Sequence, residues 1–445
     1  MTPARRLVLL SALGALLIVT TLAGPHVHLG VGDVAFGALA VSQGLVVLLA
    51  LHVAKGCAPR PALAVIAAVA IGLRLALLPV APHLSTDAYR YVWDGRVQAA
   101  GINPYRYVPA DPALEFLRDA AIFPNINRAD YAPTIYPPAA QIFFQAVARV
   151  SDSMLAIKIA FVLCEALTIL VLLDLLRRLG QPLVRVLAYA WHPLAIWEIA
   201  GSGHLDAAMI AVMMAGLWVA LVPGWRLLAA VILAVAALIK PPAVFALAAV
   251  WQPRLWHLWD WRAPAVALGV VVALYLPYLS VGAGVIGFLP GYLGEENIAT
   301  GEGFWMVASL QSLFGPLSFA RPVYLALALG VVGTLALRVA LHPDRSALAV
   351  LTRLFWTFFA FVLLLSPDYP WYWMLMLPFV ALLGPAPAWA ATIACFILYD
   401  VVDEGFEIAF ALRDTALHVI ILAALAFALR QHRAKRKHTG GEAGR

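Results

Sequence analysis

The sequence reads as an all-α polytopic membrane protein of about 12–14 transmembrane helices, with a large outer loop after the third span. Three observations predict that class. Of the 445 residues, 63% are hydrophobic and only 12% are charged, with a mean hydropathy of +0.89. Soluble domains carry about a quarter charged residues. Apolar stretches recur from end to end, with no large polar domain at either end. Lys and Arg gather in alternate connecting loops, as membrane topology requires. The apolar content excludes disorder. The net charge of +6 is spread over those loops and forms no nucleic-acid patch. Cys57, Cys164 and Cys395 are too far apart in sequence to read as a metal quartet or a disulfide framework.

The first apolar segment, 7–24, follows Arg5 and Arg6. It lacks a convincing small-residue cleavage site and is followed by further spans, so it reads as the first helix, with a cytoplasmic N-terminus. Segments 34–51 and 62–80 come next. The loop 81–153 is then outside, and ends in an apolar stretch, 139–150, too short to span. Spans at 154–173, 186–200 and 205–222 precede two short segments, 227–239 and 241–250. The rest are 264–279, 323–337, 347–365, 371–383, 389–399 and 416–429. The inner loops carry Lys55 and Arg60; Arg177, Arg178 and Arg185; Arg226; Arg254 and Arg262; Arg338 and Arg345. After a transmembrane domain of residues 1–430, the cytoplasmic tail 431–445 adds Arg433, Lys435, Arg436 and Lys437. The remaining outer loops are 201–204, 280–322, 366–370 and 400–415. A long ordered loop such as 81–153 is usually functional.

Polar residues crowd the outer side. In TDAYRYVWDGRV (86–97), Asp87 and Asp94 share one face of a helix, with Tyr91 between them and Arg90 at i+3. A carboxylate there can take a proton from a hydroxyl, and a guanidinium can bind phosphate oxygens. The competing reading is an ion-paired interface helix with aromatic anchors. GINPY (101–105) and TIYPPAAQ (134–141) have turn chemistry that folds the loop back on the membrane. Glu198, His204 and Asp206 lie at outer helix ends; the His–Asp pair two apart reads as orienting a phosphate or a sugar hydroxyl, as a metal site, or as a tight capped turn. Lys240, before Pro241 and Pro242, marks a broken helix; it meets an anionic headgroup or snorkels. SPDYPWYW (366–373) offers aromatics for sugar stacking or for a membrane belt. Arg74, Lys158 and Glu165 lie inside spans and read as structural pairs. The acidic, Gly-rich stretch 291–305, with Glu295, Glu296 and Glu302, reads as a mobile gating loop. No Walker A loop, Gly-x-Gly-x-x-Gly, Gly-x-Ser-x-Gly or His-Glu-x-x-His motif is present, which leaves no place for a nucleotide-using domain.

Taken in order over 81–373, TDAYRYVWDGRV, GINPY, TIYPPAAQ, GHLDA, KPPAV and SPDYPWYW resemble the GT-C class of integral-membrane glycosyltransferases. The likeness is to bacterial polyprenyl-phosphate-mannose-dependent α-mannosyltransferases. The resemblance implies a large outer loop with an essential acidic residue, a polyprenyl-phosphate sugar donor at the outer face and, typically, inversion at the anomeric carbon. It places Asp87 as general base or orienter, with Asp94 the second carboxylate. By their chemistry, Arg90, Arg96, His204 and Lys240 would hold the donor phosphate, and Tyr89, Asn103, Tyr136, Asp206, Tyr369 and Tyr372 the sugar or acceptor. Two features depart from the class. The acidic pair is not adjacent, which leaves a divalent metal possible but unassigned, and two spans precede the loop-bearing one. The expected partners are a polyprenyl-phosphate-linked sugar, a glycolipid, glycan or protein acceptor, and the lipid bilayer of a bacterial plasma membrane, with no nucleic acid. A transporter or flippase of a lipid-linked sugar is the alternative. It would need ionisable groups through the midplane and a repeat, whereas the sequence has few such groups and no evident repeat.

Overall fold

The computed structural model describes residues 1–31, 33–251, 260–298, 300–315, 317–399 and 410–442. Arg254, residues 400–409 of the last outer loop, and the side chains of Arg433, Lys435, Arg436 and Lys437 lie outside the described residues.

Every regular element among the described residues is a helix. Each expected span falls on helix, but among the described residues eight helices are long and apolar enough to cross a bilayer. The pair Pro193–Gly201 and Asp206–Ala220, bent by 117°, passes the same test only when taken together. The helices Arg226–Ile239, Pro370–Leu382 and Ala386–Leu398 are shorter. The expected count of 12–14 exceeds these full-length helices because several of the expected spans fall on shorter helices. Lys240 shows why. A residue before proline is driven out of the helical region, and Lys240 is extended (φ −147°, ψ 126°) between Arg226–Ile239 and the 3-10 helix Pro241–Ala249.

Buried charge ties the spans together. Arg74, in Pro59–Leu77, and Glu165, in Met154–Arg178, form a bidentate pair, with Arg74 Nε 3.0 Å from Glu165 Oε2. Lys158 donates to the carbonyls of Leu77 (2.8 Å) and Val80 (2.5 Å), closing the C-terminal end of the third span. Trp191 Nε1 donates to Ile66 O, and Trp197 Nε1 to Gln43 Oε1, both at 2.9 Å. These are the structural roles expected of Arg74, Lys158 and Glu165.

The segment after the third span is built, not slack. Asp87–Ala99 packs against Pro138–Ala148, which is the short apolar stretch. Tyr91 stacks on Phe144 at 4.9 Å and 11°. Gly95 permits the approach, because a Cβ there would sit 2.5 Å from Phe144 O. The second loop clasps the first. Asn103 Nδ2 donates to Tyr278 O (3.0 Å), Tyr278 OH to Gln98 Oε1 (2.8 Å), and Phe288 N to Thr134 O (3.1 Å). The expected span 264–279 runs on accordingly, from Arg262–Tyr275 into the 3-10 stretch Leu276–Ile286. The acidic stretch is likewise not free: Leu289–Glu295 is helical, and Glu295 accepts from Arg128 and Tyr131.

Gly287 makes this clasp possible. It has φ +59°, and a Cβ there would lie 1.8 Å from Thr134 O. Gly287→Val is expected to destabilise the chain by on the order of 3 kcal/mol while helix content persists. A thermal melt in detergent with far-UV circular dichroism checks this. Gly294→Ala, with no atom within 4 Å of the new Cβ, is the near-neutral control.

Candidate active site

A cavity of about 730 Å³ opens at the end of the bundle that carries residues 81–153. That size falls in the range of small-molecule sites, roughly 300–1,000 Å³. Its wall draws on both long loops, the bend of the broken span, the Lys240 turn and the 367–372 segment.

Asp87 opens the helix Asp87–Ala99, half-buried on the cavity wall. Asn127 Nδ2 donates to its Oδ1 at 2.9 Å, and Ser85 Oγ accepts from its backbone N–H at 3.2 Å. The carboxylate is thus oriented without an ion-pair partner within salt-bridge distance among the described residues. Asp94 is the opposite case. It is 2% exposed, does not line the cavity, and is surrounded by donors. Arg90 Nε lies 2.8 Å from Oδ1; Thr134 Oγ1 and Gln141 Nε2 (3.0 Å) both donate to Oδ2.

The geometry also sorts the expected phosphate ligands. Arg90 borders the cavity, but its guanidinium is committed to Asp94 and to Ala132 O (3.0 Å). Arg96 lies off the cavity, clamped between Asp119 (2.6 Å) and Asp152 (2.8 Å). It holds the loop together. Lys240 is on the cavity, its Nζ 2.7 and 2.9 Å from the two Asp206 oxygens and 4.4 Å from the centre of the Tyr372 ring. Asp206 itself is 2% exposed and off the wall, so it anchors the lysine. His204 is on the wall, follows a π-helical turn at Ile196–Gly201, and has Nε2 3.2 Å from Glu198 Oε2.

Of the expected sugar contacts, Tyr136, Tyr369 and Tyr372 line the cavity. Tyr89 and Asn103 do not: Tyr89 packs on the core, and Asn103 staples the two loops. One wall is aromatic. Tyr369 stacks on Trp371 (4.5 Å, 7°), and His204 also stacks on Trp371 (4.6 Å, 23°). Tyr369 OH donates to Glu296 Oε1 at 3.3 Å. Burial, together with the Glu296 carboxylate, pushes the Tyr369 hydroxyl up to about 12, so it remains a donor at neutral pH. Burial also raises the Glu296 carboxyl above its ordinary range.

Tyr292, in the stretch read as a gating loop, also lines the cavity, as do Asn127 and Arg128, which were not anticipated from the sequence. Arg128 pairs with Glu295 at about 30% exposure and adopts φ +57°, uncommon for a residue with a Cβ. Tyr292 OH bonds Tyr372 OH at 2.9 Å. No local pattern marks these positions; they reach the cavity through contacts distant in sequence. Together the wall offers an oriented carboxylate, cationic groups and a stacked aromatic face.

The family described as alpha-(1->6)-mannopyranosyltransferase, N-terminal domain, matches residues 11–253. Alpha-(1->6)-mannopyranosyltransferase A of Mycobacterium tuberculosis is 26% identical over 348 residues. That alignment covers 72% of this chain and 65% of the mycobacterial protein, just under two thirds of its length. No solved structure matches.

Proposed function

The chain belongs to the alpha-(1->6)-mannopyranosyltransferase family, and from that premise we propose that it is a membrane-embedded mannosyltransferase. It moves mannose from a polyprenyl-phosphate donor to a glycolipid or glycan acceptor at the outer face of a bacterial plasma membrane. The observation that carries the reading is the cavity itself. An oriented carboxylate without an ion-pair partner, Asp87, shares one chamber with Arg128, Lys240 and His204, beside a wall of stacked aromatic rings.

In this mechanism the acceptor oxygen attacks the anomeric carbon on the face opposite the phosphate. Its bond to that carbon forms as the carbon–oxygen bond to phosphate breaks, which inverts the centre. Asp87 takes the acceptor proton. The leaving oxygen departs with its electron pair as polyprenyl phosphate, held by Arg128 and Lys240. The leaving group stays in the membrane, so no nucleotide site is needed.

Sidedness rests on the far end. Asp206–Ala220 starts at the candidate site and runs roughly 22 Å to a second cavity lined by Arg178, Arg226, Arg262 and Arg345. Basic residues mark the cytoplasmic side, which supports the reading that Asp87 faces outside and both termini lie inside.

The test presents the purified chain with labelled mannose on a polyprenyl phosphate or on a soluble nucleotide. Transfer from the lipid alone is expected; transfer from the nucleotide alone would refute the donor assignment. Arg128→Ala should weaken donor binding roughly ten- to hundredfold, the loss of a charge-assisted hydrogen bond. Its exposed pair with Glu295 contributes at most about 1 kcal/mol to stability, so the melting temperature should barely move. A fluorescence titration of donor alongside the melt separates the two effects.

A further inference from the structure

We propose that Asp368, Asp414 and His418 bind one divalent transition cation, of the Mn²⁺ or Zn²⁺ type, which pins the aromatic wall of the cavity to the last helix. The three side chains come from two separate elements. Asp368 lies in the short link between Ala347–Leu365 and Pro370–Leu382, while Asp414 and His418 lie one turn apart on Phe410–Glu442. Their ligand atoms all fall within 4.8 Å of one another. Three ligands about 2.1 Å from a common ion lie at most about 4.2 Å apart, so a shift of well under one ångström per ligand closes the site.

The charge of the cluster is compatible with a bound cation. Two carboxylates and one imidazole carry a net charge of −1 even with the histidine protonated. Asp414 is 5% exposed, and its Oδ1 pairs with His418 Nδ1 at 2.9 Å, which also contacts the Asp414 carbonyl at 3.0 Å. Among the described residues, the charged groups acting on Asp368 are Asp414, His418 and Glu296. Arg413, next in sequence, turns its guanidinium to the carbonyls of Ile397 and Tyr399. Residues 400–409, whose structure lies outside the description, contain Asp400, Asp403, Glu404 and Glu407 and no Lys, Arg or His. Two largely buried carboxylates share the single positive charge that His418 can supply; a bound ion adds the second and lowers the cost of keeping both ionised.

The donor set selects the ion. Two carboxylate oxygens and one imidazole nitrogen suit Mn²⁺ or Zn²⁺ better than Mg²⁺ or Ca²⁺, which favour all-oxygen sites. The imidazole is already held. Trp305 stacks on it at 4.4 Å and 6°, and Trp305 Nε1 donates to Thr415 Oγ1 at 3.1 Å. Metal-ligating histidines depend on such outer contacts for their orientation.

The ion's place in the fold gives it a task. Pro367 and Tyr369 line the cavity on either side of Asp368. Fixing Asp368 to the last helix fixes the Tyr369–Trp371 stack.

The experiment titrates Mn²⁺ into the purified, chelator-treated full chain and reads free Mn²⁺ by electron paramagnetic resonance. One equivalent is expected, displaced by Zn²⁺, together with a rise in melting temperature on saturation. Asp414→Asn and His418→Gln should each weaken binding by at least about a hundredfold and abolish that rise. Asp368→Asn, which leaves the Asp414–His418 contact intact, does the same and guards against misfolding of the other two. Absence of stoichiometric binding by the wild type would overturn the proposal. So would binding that survives unchanged in all three variants, which would place the ion elsewhere.

Discussion

Asp87→Asn is expected to slow mannose transfer by 10²–10⁴-fold, the usual contribution of a positioned general base, and to leave donor affinity and melting temperature almost unchanged. The amide keeps the shape of the carboxylate and can still accept from Asn127 through its oxygen. What it loses is the ability to take a proton. The carboxylate is half-buried and has no salt bridge among the described residues, so no buried cation is stranded by the change. Single-turnover transfer, with donor binding measured alongside, separates the chemical step from binding. Wild-type turnover in the variant would move the base elsewhere on the wall.

Asp94→Ala is expected to fail for a different reason. The substitution strands the Arg90 guanidinium in a buried setting and removes the acceptor of Thr134 and Gln141. Breaking a buried pair by removing one partner costs about 3–5 kcal/mol. The packing of Asp87–Ala99 on Pro138–Ala148 loosens, and activity falls with stability. Replacing both partners, Arg90→Leu with Asp94→Leu, should recover part of that stability because no lone charge remains. Melts of the single and double variants in the same detergent check the claim; a fully stable Asp94→Ala chain would contradict it. The two carboxylates, seven residues apart on one helix, thus separate by readout: Asp87 by rate, Asp94 by stability.

The spans and the break at Lys240 were legible because both follow from local chemistry: apolar length for the first, a Pro-Pro pair after the lysine for the second. The convergence of Asp87, His204, Lys240, Tyr369 and Tyr372 on one cavity was legible from charge counting along the chain, since all fall on the same side. The division of labour was not. Nothing near Asp94 in sequence shows that Thr134 and Gln141 will saturate it, and Arg96 finds Asp119 and Asp152 only once the loop closes. Asn127 and Arg128 were missed for the same reason. The expected 12–14 spans and the eight full-length helices among the described residues differ because Pro241–Ala249 and its neighbours are apolar but shorter than a full span.

The central claim is that the cavity transfers a sugar. Its most direct test places the purified chain in lipid vesicles with polyprenyl phosphate bearing labelled mannose and a mannose-terminated acceptor. Label is expected on the acceptor, with polyprenyl phosphate left behind, at a rate that collapses in Asp87→Asn. Movement of the intact donor across the bilayer, with no label on any acceptor, would contradict it and make the chain a carrier of lipid-linked sugar.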